Sequence, residues 1–135
     1  MKYLVDTQYI LWSLFEPEKI KSEILDIYNN DEDEKYISGI NLWEISLKYS
    51  LGKLELNVLN PEEVADAALE SGYHIVDLDY KVFASYYKLP KKKDHRDLFD
   101  RLLIWQAIQS GYTLITKDSK IEQYIPDGLK VKIGT

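Results

Sequence analysis

The chain has 135 residues, of which 45% are hydrophobic and 13% aromatic, a length and composition that predict one folded domain over residues 1–135. It contains no cysteine, which excludes disulfide bonds, thiolate metal sites and a cysteine nucleophile and is typical of a reducing compartment. A formal net charge of −6 excludes a protein that coats nucleic acid non-specifically, so any contact with nucleic acid has to be local or assisted by metal ions.

The first elements alternate between strand and helix. Residues 2 to 6 predict a short buried strand, and Asp6-Thr7 begins a helix with one apolar face. Pro17 begins a second predicted helix, which ends in an acidic loop over residues 29 to 34. Asp6 interrupts the first apolar stretch too early for a signal peptide, and no run of roughly 18 apolar residues follows. We therefore expect a soluble, cytoplasmic protein that does not contact a membrane.

The rest of the chain continues the same alternation of strands and helices. The further predicted strands are residues 35 to 38, 73 to 78, 112 to 116 and 130 to 133. The further predicted helices are residues 40 to 51, 60 to 71, 82 to 87, 97 to 110 and 119 to 124. This pattern predicts an α/β domain whose mainly parallel sheet is covered by helices on both faces. In such a sheet, ligands bind beyond the carboxyl ends of the strands.

Acidic residues stand at positions where a buried face or a strand end is expected. Asp100 lies three, four and seven residues before Leu103, Ile104 and Ala107, so its carboxylate shares the core-facing stripe of its helix. Asp97 falls on the same side. An ionised carboxylate that faces a core needs a cation or hydrogen-bond donors, which predicts a partner for both acids.

Three further acids have comparable positions. Glu44 occupies the apolar stripe of the helix over residues 40 to 51, while Asp6 and Asp118 follow predicted strands directly. Asp6 and Asp118 also precede helices and are good candidates for N-caps. Lys48 and Arg101 are candidate ionic partners of Glu44 and Asp100. A helix cap or an ionic partner explains each acid by itself. The convergence of four acids instead favours a functional site.

Clustered carboxylates require a countercharge. Two of them about 4 Å apart repel by about 4 kcal/mol at an effective dielectric constant near 20. Mg²⁺ or Mn²⁺ suits oxygen ligands and supplies that charge, and it activates water for attack on phosphorus. The four acids therefore predict hydrolysis of phosphodiester bonds.

The two histidines do not have a zinc-binding spacing. His74 is in a predicted strand and is interpreted as structural. His95 is expected in an exposed loop, where it either contacts substrate or has no specific role. That loop is basic: residues 88 to 101 hold six basic and three acidic side chains. We interpret it either as a solvated charge run or as a substrate-binding segment that guides a phosphate backbone. The assigned substrate-binding residues are Lys91, Lys92, Lys93, His95, Arg96 and Arg101.

Several of these stretches resemble the PIN-domain family, and within it the VapC-like toxins of type II toxin–antitoxin systems. The resemblance runs through Leu4-Val5-Asp6-Thr7, Leu42-Trp43-Glu44-Ile45, His95-Arg96-Asp97-Leu98-Phe99-Asp100-Arg101 and Leu114-Ile115-Thr116-Lys117-Asp118. It covers nearly the whole chain in order and spacing. No single stretch is diagnostic, but the set is specific.

The resemblance implies a three-layer α/β/α fold with a five-stranded sheet in the order 3-2-1-4-5. It also implies an Mg²⁺- or Mn²⁺-dependent endoribonuclease in which Asp6, Glu44, Asp100 and Asp118 form the catalytic quartet. Asp6, Asp100 and Asp118 match the metal ligands, and Glu44 would help to position the ion or hold a second one. Thr116 and Asp97 match secondary positions, although Asp97 has the alternative role of a helix cap.

Two positions depart from the family pattern. Gln8 stands where the family has histidine, and Leu98 where it has proline at the start of a helix. Gln8 removes a candidate imidazole that would contact the metal ligands, and Leu98 mainly frees the backbone angle φ. Neither departure affects the four acids, so we expect activity to survive.

The implied partners are an RNA substrate, a cognate antitoxin protein and a second copy of the chain in a homodimer. Tyr9, Trp12, Trp43 and Tyr49 are interpreted either as exposed aromatic residues that line a groove for the antitoxin or as residues of the core. Two other functions stay open at this point. A receiver-like signalling domain would use an acid after the third strand, where Asp77 and Asp79 lie, and an inactive interaction module would have lost at least one of the four acids.

Overall fold

Five parallel strands form the centre of the structure, a computed structural model that describes residues 1–135. They are β1 (Lys2–Val5), β2 (Glu34–Ser38), β3 (His74–Val76), β4 (Thr113–Thr116) and β5 (Lys130–Ile133). The strands lie in the order β3-β2-β1-β4-β5, and all four neighbouring pairs are parallel. The structure confirms the predicted α/β fold and strand order.

Helices connect the strands and cover both faces of the sheet. They are α1 (Thr7–Phe15), α2 (Ser22–Asn29), α3 (Gly39–Ser50), α4 (Pro61–Glu70), α5 (Tyr80–Ser85) and α6 (Leu98–Ser110). Three 3₁₀ segments add to them over Pro17–Lys19, Tyr86–Lys88 and Ser119–Asp127. None of the helices is both long and apolar enough to cross a membrane.

Two predicted elements differ most clearly from the structure. The helix expected from Pro17 is one 3₁₀ turn followed by α2, because Ile20 takes an extended backbone conformation and buries its side chain in the core. The third strand is only three residues long, since β3 is an edge strand and the chain leaves the sheet before Asp77. Both differences depend on tertiary packing, which periodicity does not report.

The core has two main layers because successive strand residues point to opposite faces of the sheet. Leu4 and Leu114 pack on one face with Ile104 of α6, and Val5 and Ile115 pack on the other with helices α1 and α2. All four strand side chains are fully buried. The central strands β1 and β4 are therefore held on both sides, which keeps their carboxyl ends in a constant position.

A chain of hydrogen bonds joins the helices that carry the predicted site. Ser38, at the end of β2, caps α3 and donates its Oγ hydrogen to Oε1 of buried Gln106 on α6, at 2.6 Å. Asn41 accepts from the Ser38 backbone N–H at 2.8 Å and donates to Oγ1 of Thr7 at 3.1 Å. These contacts connect α3 with α6 and α1, so the relative placement of Glu44, Asp100 and Asp6 depends on buried polar groups.

We expect Ser38→Ala to lower the free energy of unfolding by about 1–3 kcal/mol, because it leaves the Gln106 carbonyl buried without its donor. Urea denaturation measures the change. Ser46→Ala, an exposed position on the same helix, is the matched control and should stay within about 0.5 kcal/mol of the wild type. Equal losses in the two variants would contradict a special role for the Ser38–Gln106 contact.

Candidate metal centre

Asp6 and Asp118 lie at adjacent strand ends, because the strand order reverses between β1 and β4. Each carboxylate uses Oδ1 to cap the helix that follows it. Asp6 Oδ1 accepts from the Tyr9 backbone N–H and Asp118 Oδ1 from that of Lys120, both at 3.0 Å. The cap alternative is therefore confirmed for both residues, but each cap leaves the second carboxylate oxygen for another contact.

Thr116 lies between these two acids. Its Oγ1 accepts from the Asp118 backbone N–H at 3.1 Å, and a hydrogen bond from its side chain lowers the pKa of Asp6. Thr116 is fully buried at the end of β4. Its hydroxyl is thus placed to hold both carboxylates in a definite orientation.

Glu44 is buried on α3, as its position in the apolar stripe predicts. Its Oε1 accepts from the Thr7 hydroxyl at 2.5 Å, and its Oε2 forms an ion pair with Lys48 Nζ at 2.6 Å. The structural alternative, pairing with Lys48, is confirmed. Both oxygens of Glu44 therefore already have partners within the protein.

Asp100 has no such cation. Arg101, its candidate partner, turns its buried guanidinium away and donates to the hydroxyls of Tyr86 and Tyr124 and to the backbone carbonyls of Leu89 and Pro90. The structural alternative, in which Arg101 pairs with Asp100, is therefore wrong. Because these four acceptors use the guanidinium donors inside the protein, the expected substrate contact of Arg101 does not fit the structure either.

Asp97 is the N-cap of α6. Its Oδ1 accepts from the Asp100 backbone N–H at 3.0 Å, and the side chain is exposed. Of its two alternative roles, the structure supports the helix cap. Its charge still acts on the site, since it contributes to the raised pKa of Asp100.

Three of the four acids line one pocket of about 190 Å³. Asp6, Glu44 and Asp100 share it with Thr7 and with Gln8, one of the two departures from the family pattern. Leu98, the other departure, is the exposed first residue of α6. Asp118 lies on the side of Asp100 that faces His95, and ligand atoms of these three residues are all within 4.8 Å of one another. The structure therefore brings all four acids into one continuous region.

The expectation of an exposed His95 was wrong, since only 5% of this residue is accessible. Its Nδ1 is 2.8 Å from the Tyr124 hydroxyl, and its Nε2 is 3.5 Å from Asp100 Oδ2 and 4.0 Å from Asp118 Oδ2. Burial lowers the pKa of His95. The negative charge of Asp118 raises this pKa in part, and the positive charge of Arg101 lowers it further. His95 therefore faces the acids from the protein side and does not extend towards solvent.

The charges of the acids act strongly on one another. Burial and the charges of four other acids raise the pKa of Asp100 from 3.8 to about 7; these acids are Asp97, Glu44, Asp6 and Asp118. Burial also raises the pKa of Asp6, which hydrogen bonds from Thr116, Tyr9 and Lys117 partly offset. A half-buried set of oxygen donors without a free cation nearby fits a hard divalent cation. The residues present thus fit the predicted Mg²⁺ or Mn²⁺.

The basic loop borders this region and forms a concavity of about 820 Å³. Lys91, Lys93 and Arg96 are exposed along it, whereas Lys92 forms an ion pair with Asp127 at 2.9 Å. The loop therefore presents three free cationic side chains of the six that were assigned to substrate. The other three, Lys92, His95 and Arg101, are engaged or buried inside the protein.

The acids of the receiver-like alternative lie elsewhere. Asp77 and Asp79 follow β3 at the edge of the sheet, with β2 between β3 and β1. Neither lines the acidic pocket, and Asp79 caps α5 through the Lys81 backbone N–H. This arrangement disfavours a receiver-like site.

Three residues that contact the site were missed from the sequence. Thr7 and Asn41 hold Glu44 through the hydrogen-bond chain, and Tyr124 binds His95. Asn41 had a readable signal, because an acceptor three residues after Ser38 matches a capping box. Tyr124 had none, since it reaches the site from a segment whose apolar pattern predicts only core packing.

We expect Asp100→Asn to raise the melting temperature of the metal-free protein by several degrees at pH 8 and by clearly less at pH 5. The carboxyl has a pKa of about 7 in the folded protein and about 3.9 in the unfolded chain, so stability falls as pH rises through this interval. Asparagine removes the charge and therefore the penalty. Thermal denaturation with a chelator present measures this difference.

Asp66→Asn, which changes an exposed carboxylate on α4, serves as the control and should shift the melting temperature equally at both pH values. If Asp100→Asn stabilises the protein no more at pH 8 than at pH 5, the proposed charge crowding at Asp100 is wrong.

Comparison with known proteins agrees with this fold. The family model described as PIN domain matches residues 3–125. No curated protein sequence matches the chain. Among solved structures, VapBC2 from Rickettsia felis, bound to a DNA fragment from its promoter, contains a chain that is 22% identical, with a TM-score of 0.71 and full coverage of both chains.

Two further solved structures have similar scores. DNA-bound VapBC from Salmonella typhimurium gives 20% identity and a TM-score of 0.68, and VapBC-1 from nontypeable Haemophilus influenzae gives 21% and 0.66. Each alignment covers 98% of this chain and 98% of the other chain. At these identities the likeness shows a shared fold.

Proposed function

The chain belongs to the PIN domain family, and from this premise we propose that it is a metal-dependent endoribonuclease, the toxin of a toxin–antitoxin pair. The observation that carries the proposal is the convergence of Asp6, Glu44, Asp100 and Asp118 at the carboxyl edge of the sheet. The carboxylate of Asp100, held there with a pKa of about 7, lacks a cationic partner in the protein. An inactive interaction module has no need to keep such a destabilising arrangement.

Asp6, Asp100 and Asp118 would hold the Mg²⁺ or Mn²⁺ ion. Each has a carboxylate oxygen not used in capping a helix, whereas both oxygens of Glu44 are engaged by Thr7 and Lys48. When bound, the cation lowers the pKa of water and neutralises charge on the phosphate. We therefore assign Glu44 an indirect role: it orients the pocket and contributes negative charge.

The protein's own groups prepare the site for a phosphodiester. The hydrogen bonds from the Tyr9 and Lys120 backbones fix the carboxylates of Asp6 and Asp118, and the Thr116 hydroxyl lies between them. Lys91, Lys93 and Arg96 would attract the nucleic-acid backbone, since contacts to phosphate position a substrate without reading its sequence. The acidic pocket would thus hold the cation, and the basic loop would position the nucleic-acid backbone beside it.

An antitoxin partner is supported by the structural neighbours and by the surface of α3. The solved toxin–antitoxin complex from Klebsiella pneumoniae contains a chain 21% identical to this one, with a TM-score of 0.60. Trp43 and Leu47 are exposed along α3 and Leu51 directly after it, and the Trp43 ring packs edge-on against Phe99, which lines the acidic pocket. An apolar stripe beside an acidic pocket suits an amphipathic segment with basic residues.

The other aromatic candidates for this groove differ in exposure. Tyr49 is exposed on α3, Trp12 is half-buried and Tyr9 belongs to the core. The homodimer stays a prediction from the family resemblance.

We expect the wild-type protein to cleave RNA with Mg²⁺ or Mn²⁺ and to lose activity in excess chelator. Asp6→Asn and Asp100→Asn should each reduce the cleavage rate by roughly 100-fold or more, because each removes a charge that the cation requires. Gel analysis of end-labelled RNA measures the rate.

Asp77→Asn is the matched control, since it removes an acid that lies outside the pocket, and it should cleave at the wild-type rate. Full activity in Asp6→Asn, in Asp100→Asn or in chelator would overturn the metal site. Cleavage of DNA but not RNA would preserve the chemistry and overturn the ribonuclease assignment.

We expect a Lys91→Gln/Lys93→Gln double variant to bind RNA more weakly and to depend less on salt. Each lost phosphate contact should reduce the slope of log affinity against log salt by about 0.7 for a single strand. Binding is measured by fluorescence anisotropy with a labelled RNA at several salt concentrations. Lys2→Gln/Lys35→Gln changes the net charge equally at the amino ends of β1 and β2, and its slope should equal that of the wild type. An unchanged slope in both variants would identify the loop as a solvated charge run.

A further inference from the structure

The Nε2 atom of His95 is a buried polar atom without a hydrogen-bond partner. Such atoms are rare in folded proteins and require an explanation. This one faces two carboxylates, at 3.5 Å from Asp100 and 4.0 Å from Asp118. Depending on where the imidazole hydrogen lies, Nε2 either directs an N–H group at these acids or offers a lone pair to the cation as a further ligand.

The contacts of Tyr124 decide between these two states. The Tyr124 residue is fully buried, and its hydroxyl has two neighbours, Arg101 Nη1 and His95 Nδ1, each at 2.8 Å. A guanidinium can only donate, so the hydroxyl oxygen accepts from Arg101. The hydroxyl hydrogen then has one acceptor within reach, which is His95 Nδ1.

It follows that Nδ1 is the unprotonated nitrogen of the ring. A neutral imidazole carries its hydrogen on one nitrogen, so the hydrogen is on Nε2. The opposite tautomer would direct two donors at the Tyr124 oxygen and leave its hydroxyl hydrogen buried without an acceptor. Arg101 therefore determines the His95 tautomer through Tyr124.

We propose that His95 is a positioning residue that directs its Nε2 hydrogen at the carboxylates of Asp100 and Asp118, and that it is not a ligand of the cation. This inference rests on the proposed function insofar as these two acids hold the ion. Asp100 lies on α6, whereas Asp118 caps the 3₁₀ segment that follows β4. A neutral donor between them orients both carboxylates without adding a positive charge that competes with the cation.

The tautomer is measured by nitrogen-15 NMR of the full-length protein, first with a chelator and then with saturating Mg²⁺. We expect Nδ1 to be unprotonated and Nε2 to carry hydrogen in both conditions. Loss of the Nε2 hydrogen when Mg²⁺ is added would overturn the proposal and make His95 a ligand. A protonated Nδ1 in the metal-free protein would overturn it as well. In Tyr124→Phe, which lacks the hydroxyl, the preference for one tautomer should be lost.

A matched pair of variants separates the two ends of the imidazole. His95→Gln keeps an N–H donor near the position of Nε2, whereas His95→Asn keeps a polar group near Nδ1 and loses the donor towards the acids. We expect His95→Asn to weaken Mn²⁺ binding by about tenfold or more, and His95→Gln to weaken it clearly less. Isothermal titration calorimetry measures the affinities, and thermal denaturation shows that both variants are folded.

Equal losses of affinity in the two variants, or a larger loss in His95→Gln, would overturn the positioning role and indicate that His95 acts only through Tyr124. These readouts do not depend on RNA cleavage. A wild-type protein that binds Mn²⁺ without cleaving RNA would overturn the proposed function alone. One that does not bind Mn²⁺ or Mg²⁺ would overturn the metal site and the role of His95 together.

Discussion

Electrostatic repulsion among carboxylates is the constraint on which the rest of the site depends. Four acids meet at the edge where β1 and β4 end, and a fifth, Asp97, caps the helix that carries Asp100. Burial removes the water that would screen their charges, so the pKa of Asp100 rises to about 7. The fold can hold this arrangement because the fully buried strand residues beneath it pack on both faces of the sheet.

The protein compensates this repulsion only in part. Lys48 pairs with Glu44, and backbone N–H groups at the starts of α1 and the last 3₁₀ segment bind Asp6 and Asp118. Arg101 is directed away from the acids and towards the carbonyls of Leu89 and Pro90. The uncompensated charge remains at Asp100, next to Asp6 and Asp118, where a divalent cation would supply the missing countercharge.

A second level of polar contacts holds the acids in position. One series of hydrogen bonds leads from Gln106 through Ser38, Asn41 and Thr7 to Glu44. A second series leads from Arg101 through Tyr124 to His95. Both series of hydrogen bonds begin on α6, the helix that also carries Asp100. Buried polar groups tolerate few alternative partners. These two series of hydrogen bonds therefore restrict the geometry of the site more than apolar packing alone would.

Much of this protein is determined by its sequence alone, because the relevant signals are local. Alternating strands and helices predicted the parallel α/β fold, and acids on apolar stripes or after strands singled out the residues that converge. The tertiary structure decided which neighbours those residues meet. It turned Arg101 away from Asp100, buried His95 behind the acids and connected both to Tyr124. Periodicity reports which face of an element is buried, but the direction of a long side chain and the tautomer of an imidazole depend on partners distant in the chain.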